Sequence, residues 1–169
     1  MPVNEYDFLT WTSFPSSRKM TNETDQQIWW EAVGKLVVQP GKKLTVTIKG
    51  KGEHLIIHPI TQLGTSHIAV DGVDVAGALR RLFNIVFPVG TFDWTEFKEN
   101  VTISSDVIAL RVTTIAGPGL VAQPSVTWFD DLKIYQDDVL IYADDFSNWA
   151  PIIIPAQIVT GVAMIKYLK

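Results

Sequence analysis

The sequence predicts an all-β fold: two antiparallel sheets packed as a sandwich. Three observations carry that expectation. Val, Ile and Thr supply 50 of the 169 residues, and β-branched side chains suit the pleated surface of a strand. Short apolar runs recur about every ten residues between turn signals, a spacing of sandwich strands. Few segments read as helix.

The elements follow in order. Thr12 to Gln27 is rich in Ser, Thr, Asn and Gln and reads as a loop or extended arm. From Glu31 onward the chain reads as strands. Leu44, Val46 and Ile48 alternate with Thr45, Thr47 and Lys49, the period of a half-buried strand. Gly50-Lys51-Gly52 reads as the turn after it, and His54 to Ile60 as a further run ended by Pro59. Ile68 to Val75 contains Asp71-Gly72, a hairpin-turn signal. Ala76 to Arg81 reads as a short helical turn, and Leu82 to Phe87 as strand. Phe97 to Ile103 and Val107 to Thr113 flank a Ser104-Ser105-Asp106 turn, and Gly117-Pro118-Gly119 is a loop. Ser125 to Tyr135 and Val139 to Phe146 form the clearest hairpin. The expected organisation is an N-terminal arm at 1–27, a sandwich at 28–149 and an apolar C-terminal strand or assembly tail at 150–169.

Composition bounds the function. The length suits one domain that needs no disulfide or metal staple. With 47% apolar and 19% charged residues the chain is not of the disordered class. Its net charge of −4 argues against nucleic acid as a partner, which calls for a basic surface. It has no cysteine, so thiolate metal sites and cysteine nucleophiles are excluded. Residues 1–10 carry Glu5 and Asp7 and no basic or apolar leader pattern. Ala150 to Leu168 is apolar, but Pro151, Pro155, Gln157 and Gly161 interrupt it, so a membrane span is not expected.

Four segments follow one another in a characteristic order: Gly90-Thr-Phe-Asp-Trp-Thr-Glu-Phe97, Val101-Thr-Ile103, Val107-Ile-Ala-Leu-Arg-Val112 and Val126-Thr-Trp-Phe-Asp-Asp-Leu-Lys-Ile134. Upstream stands Pro40-Gly-Lys-Lys-Leu-Thr-Val-Thr-Ile-Lys-Gly50. From about Glu31 to Tyr135 this arrangement resembles the carbohydrate-binding modules with a galactose-binding-like jelly roll. The resemblance implies a β-jelly roll and no catalysis. Such modules open with an Asn-x-x-Phe-Glu segment whose Glu helps hold a structural calcium; the nearest match here is Asn4-Glu-Tyr-Asp-Phe8.

Two constellations stand out as sites. Asp130-Asp131, Asp137-Asp138 and Asp144-Asp145 lie seven residues apart. A two-residue turn at Asp137-Asp138 sets Asp131 opposite Asp144 and Asp130 opposite Asp145. Like charges facing across strands are destabilising. Calcium, which favours several oxygen ligands, would relieve them; so would splaying of the strands, or intervening Lys and Arg. The second constellation is aromatic. Trp29 and Trp30 are adjacent, so one faces out of a strand, and an exposed indole can stack on a sugar ring or a neighbouring subunit. Trp94 and Trp128 are expected in the core.

Other patterns carry less. His54 and His58 are too far apart on a strand to share one ion. Lys42, Lys43, Lys49 and Lys51 read as the guard of a sheet edge. Asn22-Glu-Thr24 and Asn100-Val-Thr102 match the N-glycosylation pattern. No nucleophile elbow or phosphate loop is present, and no enzyme is expected.

The expected function is a non-catalytic structural subunit of a larger assembly, such as a virion capsid, turret or fibre or a cell-surface array, located on a virion or an extracellular surface. Its partners would be copies of itself or other structural subunits, with a possible glycan contact. The alternative is a stand-alone carbohydrate-binding module.

Overall fold

The computed structural model describes residues 17–58 and 64–146 in full, and the backbone of Val3–Asp7 and Ile152–Ile153. Every described element is a strand. They are β1 (Val3–Asp7), β2 (Ser17–Asn22), β3 (Ile28–Val37), β4 (Lys43–Leu55), β5 (His67–Asp74), β6 (Leu79–Val86), β7 (Gly90–Thr102), β8 (Val107–Ala116), β9 (Ser125–Gln136), β10 (Val139–Asp144) and β11 (Ile152–Ile153). They form two antiparallel sheets, as the sequence predicts. One sheet has the order β3-β8-β5-β6. The other is centred on β9, with β4 and then β7 on one flank and β2 and β10 sharing the other.

The core forms where the inward faces meet. Leu44, Val46, Ile48, Ile103, Leu110, Val112, Leu132 and Ile134 are all buried, as their alternation requires, and Val101 is half-buried against them. Phe87 sits among three further rings, with centroids 4.6 Å from Phe97, 5.4 Å from Phe129 and 5.8 Å from Phe92.

Four sequence expectations change. One is the short helical turn at Ala76 to Arg81, where a turn at 75–76 leads into β6 from Leu79; the other three follow. First, Gly50-Lys51-Gly52 is not a turn; β4 runs through it. A Cβ on Gly50 would lie 2.5 Å from the Phe87 ring. Glycine is there for the close approach of aromatic rings. Second, Asp71-Gly72 lies inside β5, paired with Arg111 and Leu110 of β8, and the turn falls after Asp74. The Asp74 carboxylate makes that turn by accepting the N–H groups of Ala76 and Ala78. Third, the segment read as an arm contains β2, which pairs with the first half of β9. Its Asn22 side chain is fully buried. It donates to the carbonyls of Gln26 and Gly117 and accepts from the N–H and hydroxyl of Thr24. That amide is committed to structure, so the sequon at Asn22 is closed to a glycan in the folded chain; Asn100 is exposed. Most of the 150–169 tail lies outside the described residues, but Ile152 and Ile153 pair with Ala143 and Tyr142 of β10.

Candidate functional site

The β9–β10 hairpin turns at Asp137-Asp138 as predicted, with φ of 48° and 64°. Two positive values are the type I′ pattern that matches strand twist. Leu140 faces Tyr135 in the predicted register, but a bulge then shifts the pairing, so Tyr142 faces Ile134 and Asp144 faces Leu132. The bulge lets consecutive Ile141 and Tyr142 both bury in the core.

The ladder between the two strands ends at Asp144 and Leu132, short of the predicted pairing of the four acids. Asp131 meets lysines instead: its carboxylate lies 2.7 Å from Lys133 and 3.2 Å from Lys49. Burial acts to raise its pKa, but hydrogen bonds from Lys133 and Lys49 outweigh burial and hold Asp131 below the usual carboxylate range. Asp130 is fully buried and accepts the Asp131 N–H. Asp144 accepts the Phe146 N–H and the Tyr142 hydroxyl. Burial, aided by nearby Asp145, pushes Asp144 up. Among the described residues no cluster of three or more metal-ligating side chains forms. The expected calcium ligands Asp130, Asp131, Asp144 and Asp145 are thus not gathered into such a cluster; Lys49 and Lys133 neutralise Asp131. The basic residues are no edge guard either, because β4 lies between β7 and β9. Lys42 pairs with Asp137 at 2.7 Å and Lys43 with Asp138 at 3.7 Å.

The outward face of β7, β4 and β9 carries a polar groove. Alternation places Glu96, Lys49 and Asp130 in one cross-strand row, Lys98, Thr47 and Lys133 in the next, and Asn100, Thr45 and Tyr135 in a third. Thr45, Thr47, Glu96, Lys98, Lys133, Tyr135 and Asp138 line a shallow depression of about 290 Å³. It offers a half-buried phenol ring, two threonine hydroxyls, two carboxylates and two ammonium groups. The charges cancel. The hydrogen bond to Asp131 holds Lys133 above the usual lysine range. The Thr45 hydroxyl is buried and has no hydrogen-bond partner, an unusual state for a buried polar group.

The tryptophans fall partly as expected. Trp128 is buried, at 5% exposure, yet it stands outside the core cluster. Its neighbours Thr127 and Phe129 face inward, so it lies on the outer face, under the ammonium groups of Lys51 at 5.0 Å and Lys19 at 5.9 Å. Trp94 is half-buried and also outside that cluster. Trp29 and Trp30 take opposite faces of β3, as adjacency requires. Trp30 shares a face with buried Thr114 and stacks on the Arg18 guanidinium, 4.7 Å from its ring centroid. It is occupied structurally. Trp29 points out at 65% exposure. Tyr135 and Thr45 were not singled out from sequence. Their signal was the alternation of two strands, but only the register sets them side by side.

The sequence matches no known protein family and no curated protein. The fold does have neighbours. The enzymatically active domain of tailspike protein 4 from bacteriophage CBA120 matches with a TM-score of 0.53 and 10% identity over 80% of this chain. This chain spans only 18% of that one. A family 16 carbohydrate-binding module matches at 0.52 with 14% identity, over 78% of this chain and 84% of the module. A family 22 xylan-binding domain matches at 0.51 with 15% identity, over 83% and 85%. The fold is thus a jelly-roll sandwich like those of carbohydrate-binding modules. At these identities the likeness concerns the fold alone.

Proposed function

We propose that this chain is a non-catalytic glycan-binding module whose ligand lies in the groove on the outer face of β4, β7 and β9. The observation that carries the reading is the groove lining itself: donors and acceptors of both signs around one aromatic ring, with an unsatisfied Thr45 hydroxyl. A sugar presents hydroxyls that donate and accept, and C–H faces that pack on a ring. Because Glu96 and Asp138 are balanced by Lys98 and Lys133, the groove favours a neutral glycan over a polyanion. The fold neighbours support this reading more than a capsid or turret role, since two of the three are carbohydrate-binding domains that this chain spans almost entirely.

Native electrophoresis in gels containing soluble xylan, β-1,4-galactan or hydroxyethyl cellulose tests it. The wild-type chain should be retarded by at least one of them and Tyr135→Ala much less so. Equal mobility of both proteins in every gel would count against the groove.

A further inference from the structure

The opposite face of the sandwich carries a second feature that the groove does not explain. Register places Trp29 of β3, Ile115 of β8, His67 of β5 and Val86 of β6 in one outward cross-strand row. Trp29 is 65% exposed and Val86 57%, while Ile115 and His67 are half-buried between them. With strands about 4.8 Å apart, the row spans roughly 14 Å.

The adjacent outward row is polar: Glu31, Thr113 and Asn84, with Ala69 between the last two. Glu31 is paired with Arg111 at 2.7 Å. The result is an apolar strip one side chain wide, bordered by exposed Glu31 at one end and exposed Asn84 at the other, with Thr113 and Ala69 buried between them. A stable protein interface covers about 800 Å² on each partner and has a broad apolar centre. This strip is too narrow for that. It suits a linear ligand that is apolar on one side and hydroxylated along its edge.

His67 adds polarity at the middle of the strip. Its Nδ1 lies 3.0 Å from the Thr65 carbonyl oxygen, which can only accept. Nδ1 therefore donates, and in the neutral ring Nε2 is the acceptor. Burial, foremost, pushes the His67 pKa down against the opposing hydrogen bond to Thr65, with Arg81 acting in the same direction as burial.

We infer that Trp29, Ile115, His67 and Val86 form a second glycan-binding strip, which takes a short linear oligosaccharide laid across the strands with a sugar face on the Trp29 indole. The ligand class rests on the glycan-binding reading above; the site does not, because it shares no residue with the groove.

The test is residue-resolved NMR titration of the full chain with xylohexaose, cellohexaose and a β-1,4-galactan hexamer. The strip predicts saturable shifts at the Trp29 indole N–H and at the Ile115 and His67 amides with at least one sugar. Trp29→Ala should weaken that binding at least about tenfold, the worth of a lost aromatic contact, and Trp29→Phe should retain part of it. Tyr135→Ala should leave the strip's shifts intact. Shifts confined to Tyr135, Thr45 and Lys98 would overturn the strip and keep the groove. Shifts confined to the strip would support it and remove the groove. No shift at Trp29 with any of the three sugars, or broadening there that depends on protein concentration alone, would overturn the inference.

Discussion

The two outer faces of this sandwich are built from the same alternation and arrive at opposite chemistry. On β4, β7 and β9 the outward positions hold Lys, Glu, Thr and Tyr, and the result is a polar groove with balanced charges. On β3, β8, β5 and β6 one outward row holds Trp, Ile, His and Val, and the result is a mostly apolar strip beside a more polar row. The inward residues of both sheets are apolar, aliphatic for the most part with a cluster of phenylalanine rings around Phe87. The contrast shows that the core specifies the sandwich, while the outward half of each strand is free to diverge. Function should therefore respond to outward substitutions that leave stability alone.

The largest effect should come from breaking what both faces share. Ile134→Ala removes a fully buried side chain and should cost about 2–5 kcal/mol in denaturant unfolding. The groove and the strip should be lost together; survival of a folded strip without the groove sheet would end the view of one common core.

Next comes Gly50→Ala. The new methyl meets the Phe87 ring, and the aromatic cluster must shift, at about 1–3 kcal/mol. Chemical shifts of Phe97 and the groove should move with it, whereas those of Trp29 should not.

Asp131→Asn probes the groove's charge support. Asp131 has a positive φ of 52°, which Asn accepts readily, so the backbone should hold. The folded-state pKa of Asp131 lies below its unfolded value. Its contribution to stability is thus complete above the unfolded value, about 3.9, and is lost as pH falls through the folded one. Wild type should exceed the variant in stability at neutral pH, and the gap should close in acid. A gap that persists to the acid limit would show that the Lys49 and Lys133 contacts are not its source.

Asp138→Gly should have the smallest effect on stability. It produces the preferred Asp-Gly type I′ turn and loses an exposed contact with Lys43, for a net change of about 0.5 kcal/mol or less. If sugar binding falls while the melting temperature holds, the Asp138 carboxylate belongs to the site and not to the turn.

Much of this was legible in the sequence, and the limits have physical causes. The β9–β10 hairpin and its turn were readable because alternation and the Asp137-Asp138 pair agree. The bulge at Ile141 was not, since a one-residue slip leaves no mark in composition; nor was the end of the ladder at Asp144 and Leu132, short of the expected four-acid pairing. The segment Ser17–Asn22 was too polar to read as a buried strand, because its polar groups are satisfied by partners as distant as Gly117. Gly50 and Gly72 looked like turns because glycine marks tight packing as well as reversal. The groove escaped because its members come from three strands and the turn, and Trp29 was visible because adjacency with Trp30 sends one indole outward on any strand.

The central claim is that a neutral glycan occupies the groove at Tyr135. Isothermal titration calorimetry of the wild-type chain and of Tyr135→Ala against the oligosaccharide that matches the best-retarding gel tests it most directly. The account predicts saturable binding by the wild type and a loss of about tenfold or more in the variant, with both proteins melting alike. Equal affinity in the two proteins would contradict it.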